Sequence, residues 1–141
     1  MRPATLVLAT RDSVFTALCE HLLKDGEVFD LIVSTSTVEL LDVARQHQPA
    51  AVLLDIDGQD VATIKTLASK LALLSEARII LASGYLTPGS AGLGSLLQVV
   101  AGAAVLKPQG SSSLSLARDD GQQFVAAMRR AFDAQDRGGR M

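Results

Sequence analysis

The stretch Pro49-Ala-Ala-Val-Leu-Leu-Asp55-Ile-Asp57 constrains this chain more than any other. Its small and apolar residues run straight into an acid with no polar alternation. That is the pattern of a strand buried on both faces, as in parallel sheets. Gly58 follows, so Asp55 stands where the strand leaves the sheet. Open α/β sheets bind ligands outside the carboxyl ends of their strands. Asp55 is therefore the expected functional centre.

The rest of the chain alternates between short apolar runs and helical patterns. Thr5–Ala9 reads as the first strand, and Asp12 and Ser13 supply N-cap chemistry for a helix with Val14, Phe15, Leu18, Leu22 and Leu23 inward. Asp25-Gly26 ends that helix, and residues 28–33 form the second strand. Ser34 to Thr37 reads as a loop and cap. A helix over 39–48 follows, with Leu40, Leu41 and Ala44 inward, and Pro49 stops it. Residues 50–54 are the third strand, and Asp57 to Asp60 a turn. Val61, Ile64, Leu67, Ala68, Leu71 and Leu74 then mark an amphipathic third helix. Residues 78–82 are the fourth strand, ending at Ser83-Gly84. The glycines at 84, 89, 92 and 94 predict a mobile entry over 85–94 and a short fourth helix near 95–100. Ala103–Leu106 is the fifth strand, ending at Lys107-Pro108. Residues 109–120 read as an exposed loop with Asp119-Asp120 as a cap. Phe124, Ala127, Met128, Ala131 and Phe132 mark the fifth helix, with Arg129 and Arg130 in its last turn. The expected division is a domain over 1–134 and a flexible tail over 135–141.

Strand and helix alternate five times, which implies a doubly wound five-stranded parallel sheet flanked by five helices, in the order 2-1-3-4-5. The switch point falls between strands one and three, so Asp55 faces the Thr10-Arg11-Asp12 loop. The 141 residues suit a single core. No apolar run approaches the roughly 18 residues of a membrane span, and the N-terminal segment reads as a strand, because Arg11 and Asp12 interrupt it. A net charge of −2 argues against a nucleic-acid surface. One cysteine, Cys19, excludes an internal disulfide and a thiolate cluster and reads as a small buried hydrophobe. His21 and His47, near helix ends, have no partner at metal-ligand spacing. No Gly-rich phosphate fingerprint follows the first strand, and Ser13 and Ser83 lack a nucleophile elbow.

Polar residues end four strands: Thr10-Arg11-Asp12, Asp55, Ser83 and Lys107-Pro108. Over about residues 5–133 this constellation resembles the receiver domain of bacterial two-component response regulators, a flavodoxin-like, CheY-like fold. The matching segments are Val52-Leu53-Leu54-Asp55-Ile56, Ile80-Leu81-Ala82-Ser83-Gly84 and Gly102-Ala103-Ala104-Val105-Leu106-Lys107-Pro108. The resemblance implies that Asp55 accepts a phosphoryl group and that Ser83 hydrogen-bonds it. It implies too that Lys107, joined to Pro108 by a cis bond, pairs with the acid. A carboxylate is a competent phosphoryl acceptor, and a neighbouring ammonium keeps it ionised. The family's cofactor is Mg²⁺, here left to Asp55, Asp57 and Asp12, because Thr10 and Arg11 stand where the acidic pair of strand one belongs. Arg11 is either a substitute for the metal's charge at Asp55 or an exposed loop cation. Asp57-Gly58 replaces a Met-Pro turn, and Ala104 replaces an aromatic switch residue.

The function so implied is a stand-alone cytoplasmic receiver, not an enzyme. A histidine kinase or phosphotransfer protein would phosphorylate it. It would signal to a downstream protein through the face of the fourth helix, fifth strand and fifth helix, with neither nucleic acid nor membrane as partner. The alternative is a degenerate receiver that uses the same face without phosphorylation, to bind a protein or to dimerise. A flavodoxin-like catalyst working in the strand-end crevice is the third reading.

Overall fold

A computed structural model describes residues 3–84, 103–108 and 114–138. Strands β1 (Thr5–Ala9), β2 (Asp30–Ser34), β3 (Ala51–Asp55), β4 (Arg78–Ser83) and β5 (Ala103–Leu106) form one parallel sheet in the order β2-β1-β3-β4-β5. This is the doubly wound order expected from the alternation of elements. Helices α1 (Ser13–Cys19), α2 (Thr37–His47), α3 (Val61–Leu74) and α4 (Leu114–Gly138) accompany it. The last of these is the fifth helix of the sequence reading. The expected fourth helix, near 95–100, and its entry over 85–94 lie outside the described residues.

Successive strand residues point to opposite faces, and that rule divides the core in two. Leu6, Leu8, Ala51, Leu53, Ile80, Ala82 and Val105 pack with Phe15, Cys19 and Leu23 of the first helical segment and with Phe124, Met128 and Ala131 of α4. Val7, Ala9, Val52, Leu54, Ile79 and Leu81 pack with Leu40 and Ala44 of α2 and with Ile64, Leu67, Ala68 and Leu71 of α3. All five residues of β3 are buried, as its unalternating sequence requires. Two edge-to-face aromatic pairs, Phe15–Phe124 at 5.8 Å and Phe29–Phe132 at 5.6 Å between centroids, tie α4 to α1 and to the segment that leads into β2. Burial pushes the Cys19 thiol up to about 12, which fits an inert core residue.

Several elements depart from their sequence reading. Helix α1 continues as a π-helical turn over Glu20–Lys24, where the Asp25 N–H donates to the Glu20 carbonyl at 2.9 Å. The Val28 and Phe29 N–H groups both donate to the Leu23 carbonyl, so β2 starts at Asp30 rather than at 28. Val14, in the first turn of α1, is 65% exposed, and Phe15 takes the inward place. Helix α4 begins at Leu114, inside the stretch read as a loop, and runs on through Gly138, into the expected tail. Asp119-Asp120 are therefore interior to the helix and not its cap, and Arg129-Arg130 precede its last turn. The polar composition of 114–120 hid helix-compatible residues contiguous with a strong amphipathic pattern. Gly121 has a use inside that helix. A Cβ there would meet Leu22 Cδ2 at 2.9 Å, so glycine lets α4 approach the π-turn closely.

Leu53 is fully buried at the centre of the sheet, whereas Leu73 on α3 is 86% exposed. Leu53→Ala should lower the unfolding free energy by about 2–5 kcal/mol in urea titration, and Leu73→Ala should change it by no more than about 0.5 kcal/mol.

Candidate functional site

The pairing registers decide which side chains meet above the sheet. Ala9 pairs with Leu54 and Asp55 with Ala82, so Thr10 follows β1 beside Asp55. The Lys107 N–H donates to the Ser83 carbonyl at 3.0 Å, carrying the β4–β5 pairing one residue past β5. By alternation, Thr10, Asp55 and Lys107 continue the rows of Leu8, Leu53 and Val105 and rise above the same core. Thr10, Asp55, Ser83 and Lys107 are all buried.

Asp55 Oδ2 accepts from the Thr10 hydroxyl at 2.6 Å and from Lys107 Nζ at 3.0 Å; Oδ1 accepts from the Asp57 N–H at 3.0 Å. The last contact needs the turn after β3. Gly58 has φ +77°, and the Gln59 N–H reaches the Ile56 carbonyl at 3.3 Å, which closes a turn of type II form with glycine at its left-handed position. Gln59 Nε2 also donates to the Asp55 carbonyl at 2.7 Å, holding the turn down.

Lys107 Nζ sits 3.0 Å from Asp55 Oδ2, 3.2 Å from Asp57 Oδ2 and 3.4 Å from Asp12 Oδ2, and 4.9 Å from the centre of the Phe15 ring. Asp57 Oδ1 accepts from the Ser83 hydroxyl at 2.6 Å, and its Oδ2 accepts from the Gly84 N–H at 2.8 Å. Asp12 Oδ1 caps α1 through the N–H groups of Val14 and Phe15. The Asp12 N–H donates to the Thr10 hydroxyl oxygen, so that hydroxyl accepts from the loop and donates to Asp55.

Electrostatics follow from these contacts. Burial works to raise the Asp57 carboxyl, but the hydrogen bonds from Ser83 and Gly84 and the Lys107 charge outweigh it and hold the carboxyl below the usual range. The Phe15 N–H bond is the largest influence on Asp12, which is also held low. Burial alone would lower Lys107, yet its hydrogen bonds and charge pairing with Asp55 and Asp57 raise it.

Sequence reasoning placed Asp55, Ser83, Lys107, Asp12 and Asp57 at one edge, and the structure brings all five together. The partnerships were less legible. Ser83 bonds Asp57, and Thr10 is a direct partner of Asp55. Arg11 is exposed, and the carboxylate of Asp55 is served by other donors, which leaves the loop-cation reading of Arg11. The Lys107–Pro108 bond is trans, as are all bonds among the described residues. Continued pairing with β4 already carries the lysine to Asp55, so no cis bond is needed. The strand-end residues open on a cleft of about 570 Å³ whose walls include Arg11, Ser34, Ser36, Leu40 and Thr63.

The donor set does not fit the expected Mg²⁺. Each of the six oxygens of Asp12, Asp55 and Asp57 already accepts a hydrogen bond from the protein. Among the described residues, no group of three acidic, histidine or cysteine side chains is arranged to hold a metal ion.

No family model and no curated protein sequence matches the chain. Solved structures do. The response regulator domain of Thermotoga maritima CheB is 17% identical, with 94% of this chain and 98% of that chain covered and a TM-score of 0.71. Chemotaxis response regulator CheY4 of Vibrio cholerae is 13% identical over 92% and 98%, with a TM-score of 0.65. A Burkholderia pseudomallei response regulator, described with a phosphorylated aspartic acid, a calcium ion and citrate, is 18% identical over 96% and 72%, with a TM-score of 0.61. The chain has the CheY-like fold of response-regulator receiver domains.

The charge cluster sets a pH window. Asp57 and Asp12 are depressed, so their stabilisation is present above the ordinary aspartate value, about 3.9, and is lost as pH falls through their folded values. Lys107 is raised, so its contribution is complete below the ordinary lysine value, about 10.4, and is lost as pH climbs through its folded value. Lys107→Met should cost at least about 3 kcal/mol at pH 7 by leaving the buried Asp55 carboxylate without a counter-charge. Its stability should then rise as pH is lowered from 7 toward 5, while that of the parent protein stays level. Urea denaturation across pH checks both slopes.

Proposed function

We propose that the chain is a receiver-type signalling module that acts by protein contact and does not need phosphorylation of Asp55. The observation carrying this reading is that the Asp55 carboxylate is buried and held by three donors of the protein itself. The residue is 5% exposed, and both its oxygens are engaged, by Thr10, Lys107 and the Asp57 N–H. Oδ1 keeps one lone pair, but a phosphoryl acceptor also needs access for the incoming phosphorus and charge neutralisation on the transferring oxygens. Lys107 supplies one charge, already shared among three carboxylates.

The contact face includes β5 and α4. Leu106 is 48% exposed there and borders a groove of about 220 Å³, shared with Pro108, Phe124, Ala127 and Arg130. Lys107 lines both this groove and the strand-end cleft. The arrangement at Asp55 thus sets the shape of the face offered to a protein partner or to a second copy of the chain.

Phosphorylation of Asp55 by a histidine kinase or phosphotransfer protein, with Mg²⁺, is the second reading. Lys107 Nζ at 3.0 Å and the Ser83 hydroxyl on the neighbouring strand favour it.

Beryllofluoride, which mimics a phosphoryl group on a carboxylate, separates the two. With and without Mg²⁺, the amide signals of Asp55, Ser83 and Lys107 should stay unchanged by NMR. A Mg²⁺-dependent response that disappears in Asp55→Asn would establish the phosphoacceptor reading. Leu106→Asp should leave the melting transition within about 0.5 kcal/mol of the parent and weaken partner or self-association by at least about tenfold, read by sedimentation or titration.

A further inference from the structure

The three carboxylates of the site converge on a point that is already filled by a cation of the protein's own. An ammonium has three N–H donors, and Lys107 Nζ lies 3.0, 3.2 and 3.4 Å from three oxygens, one each from Asp55, Asp57 and Asp12. The other oxygen of each carboxylate is tied to the fold. Asp12 Oδ1 holds two N–H groups of α1, Asp55 Oδ1 holds the N–H of Asp57, and Asp57 Oδ1 holds the Ser83 hydroxyl. A cation entering the cluster therefore has the Lys107-facing oxygens to bind. Mg²⁺ demands oxygen ligands at about 2.0–2.1 Å in near-octahedral array, and Nζ now stands among the carboxylate oxygens that would supply them.

We propose that Lys107 is the resident cation of this site and keeps divalent metal out of it. The exclusion is by occupancy, not by repulsion, since three carboxylates against one ammonium leave the cluster formally negative. The occupant is tethered. Its main chain continues the β4–β5 pairing, and its head lies 4.9 Å from the centre of the Phe15 ring, so it competes as an intramolecular ligand against a dissolved one. Its departure would also strand the buried Asp55 carboxylate. Take the ammonium away, and the carboxylates of Asp12, Asp55 and Asp57, which as they stand are not arranged to hold a metal ion, are free to draw together around a dissolved cation instead.

The test uses cation alone. Mn²⁺ is titrated as a paramagnetic probe while the amide signals of residues 12, 55 and 57 are followed by NMR, and Mg²⁺ is titrated while the thermal transition is followed. The parent protein and Lys107→Arg, which keeps the charge, should show no saturable broadening and no thermal shift through millimolar cation. Lys107→Met and Lys107→Gln should bind Mn²⁺ at least about tenfold more tightly than the parent, and Mg²⁺ should stabilise them. If both variants are unfolded without cation, recovery of native circular dichroism on adding Mg²⁺ is the same result. Saturable binding to the parent as tight as to Lys107→Met overturns the proposal. So does a Lys107→Met protein that neither binds Mn²⁺ nor recovers with Mg²⁺. Mg²⁺ binding to the parent without any beryllofluoride response would overturn this inference and leave the proposed function standing.

Discussion

The ammonium of Lys107 is the interaction on which the upper edge of this molecule depends. Three aspartates crowd the ends of β1 and β3, and one of them is buried. An unpaired buried carboxylate costs several kcal/mol. Lys107 offsets that cost at Asp55 and also pairs with the two more exposed acids, and it can do so because strand pairing delivers its backbone to the right place. The site is thus a product of sheet register before it is a product of chemistry. A shift of β5 by one residue would turn Lys107 to the other face and leave the carboxylates alone.

Thr10 shows how much one residue type can redirect such a site. A hydroxyl is both donor and acceptor, and here it takes a hydrogen bond from the Asp12 N–H and gives one to Asp55. That neutral link joins the two loops at the switch point. A carboxylate at position 10 would add negative charge beside Asp55 and demand a cation between them. The sequence difference from the two-acid pattern of receiver domains is therefore more than the loss of a metal ligand, because it supplies a direct bond in its place. The same economy holds at Asp57, where a serine hydroxyl and two N–H-type donors leave no oxygen idle.

Much of this was legible in the residues. The unalternating run into Asp55 identified a central buried strand, and the regular alternation of elements identified the sheet order. The polar ends of strands one, three, four and five identified the site. What stayed hidden depends on geometry that spacing does not carry. Asp57 looks like a turn residue until the left-handed Gly58 aims it back at Ser83 and Lys107. The π-turn at Glu20–Lys24 leaves no mark in a helical hydrophobic pattern, because Leu22 and Leu23 satisfy either winding. The start of α4 at Leu114 was masked by serines and aspartates that favour loops in isolation but are carried into a helix by the amphipathic segment that follows.

Lys107 borders two cavities on different sides of the sheet edge, and that has a thermodynamic consequence. Two binding events that compete for, or reorganise, one side chain cannot be independent. Whatever change in affinity an occupant of the cleft above Asp55 imposes on the groove beside Leu106 through this lysine, an occupant of the groove must impose in equal measure on the cleft. Information in this fold then has no preferred direction. The groove reports on the cleft, and the cleft, with the same coupling constant, reports on the groove.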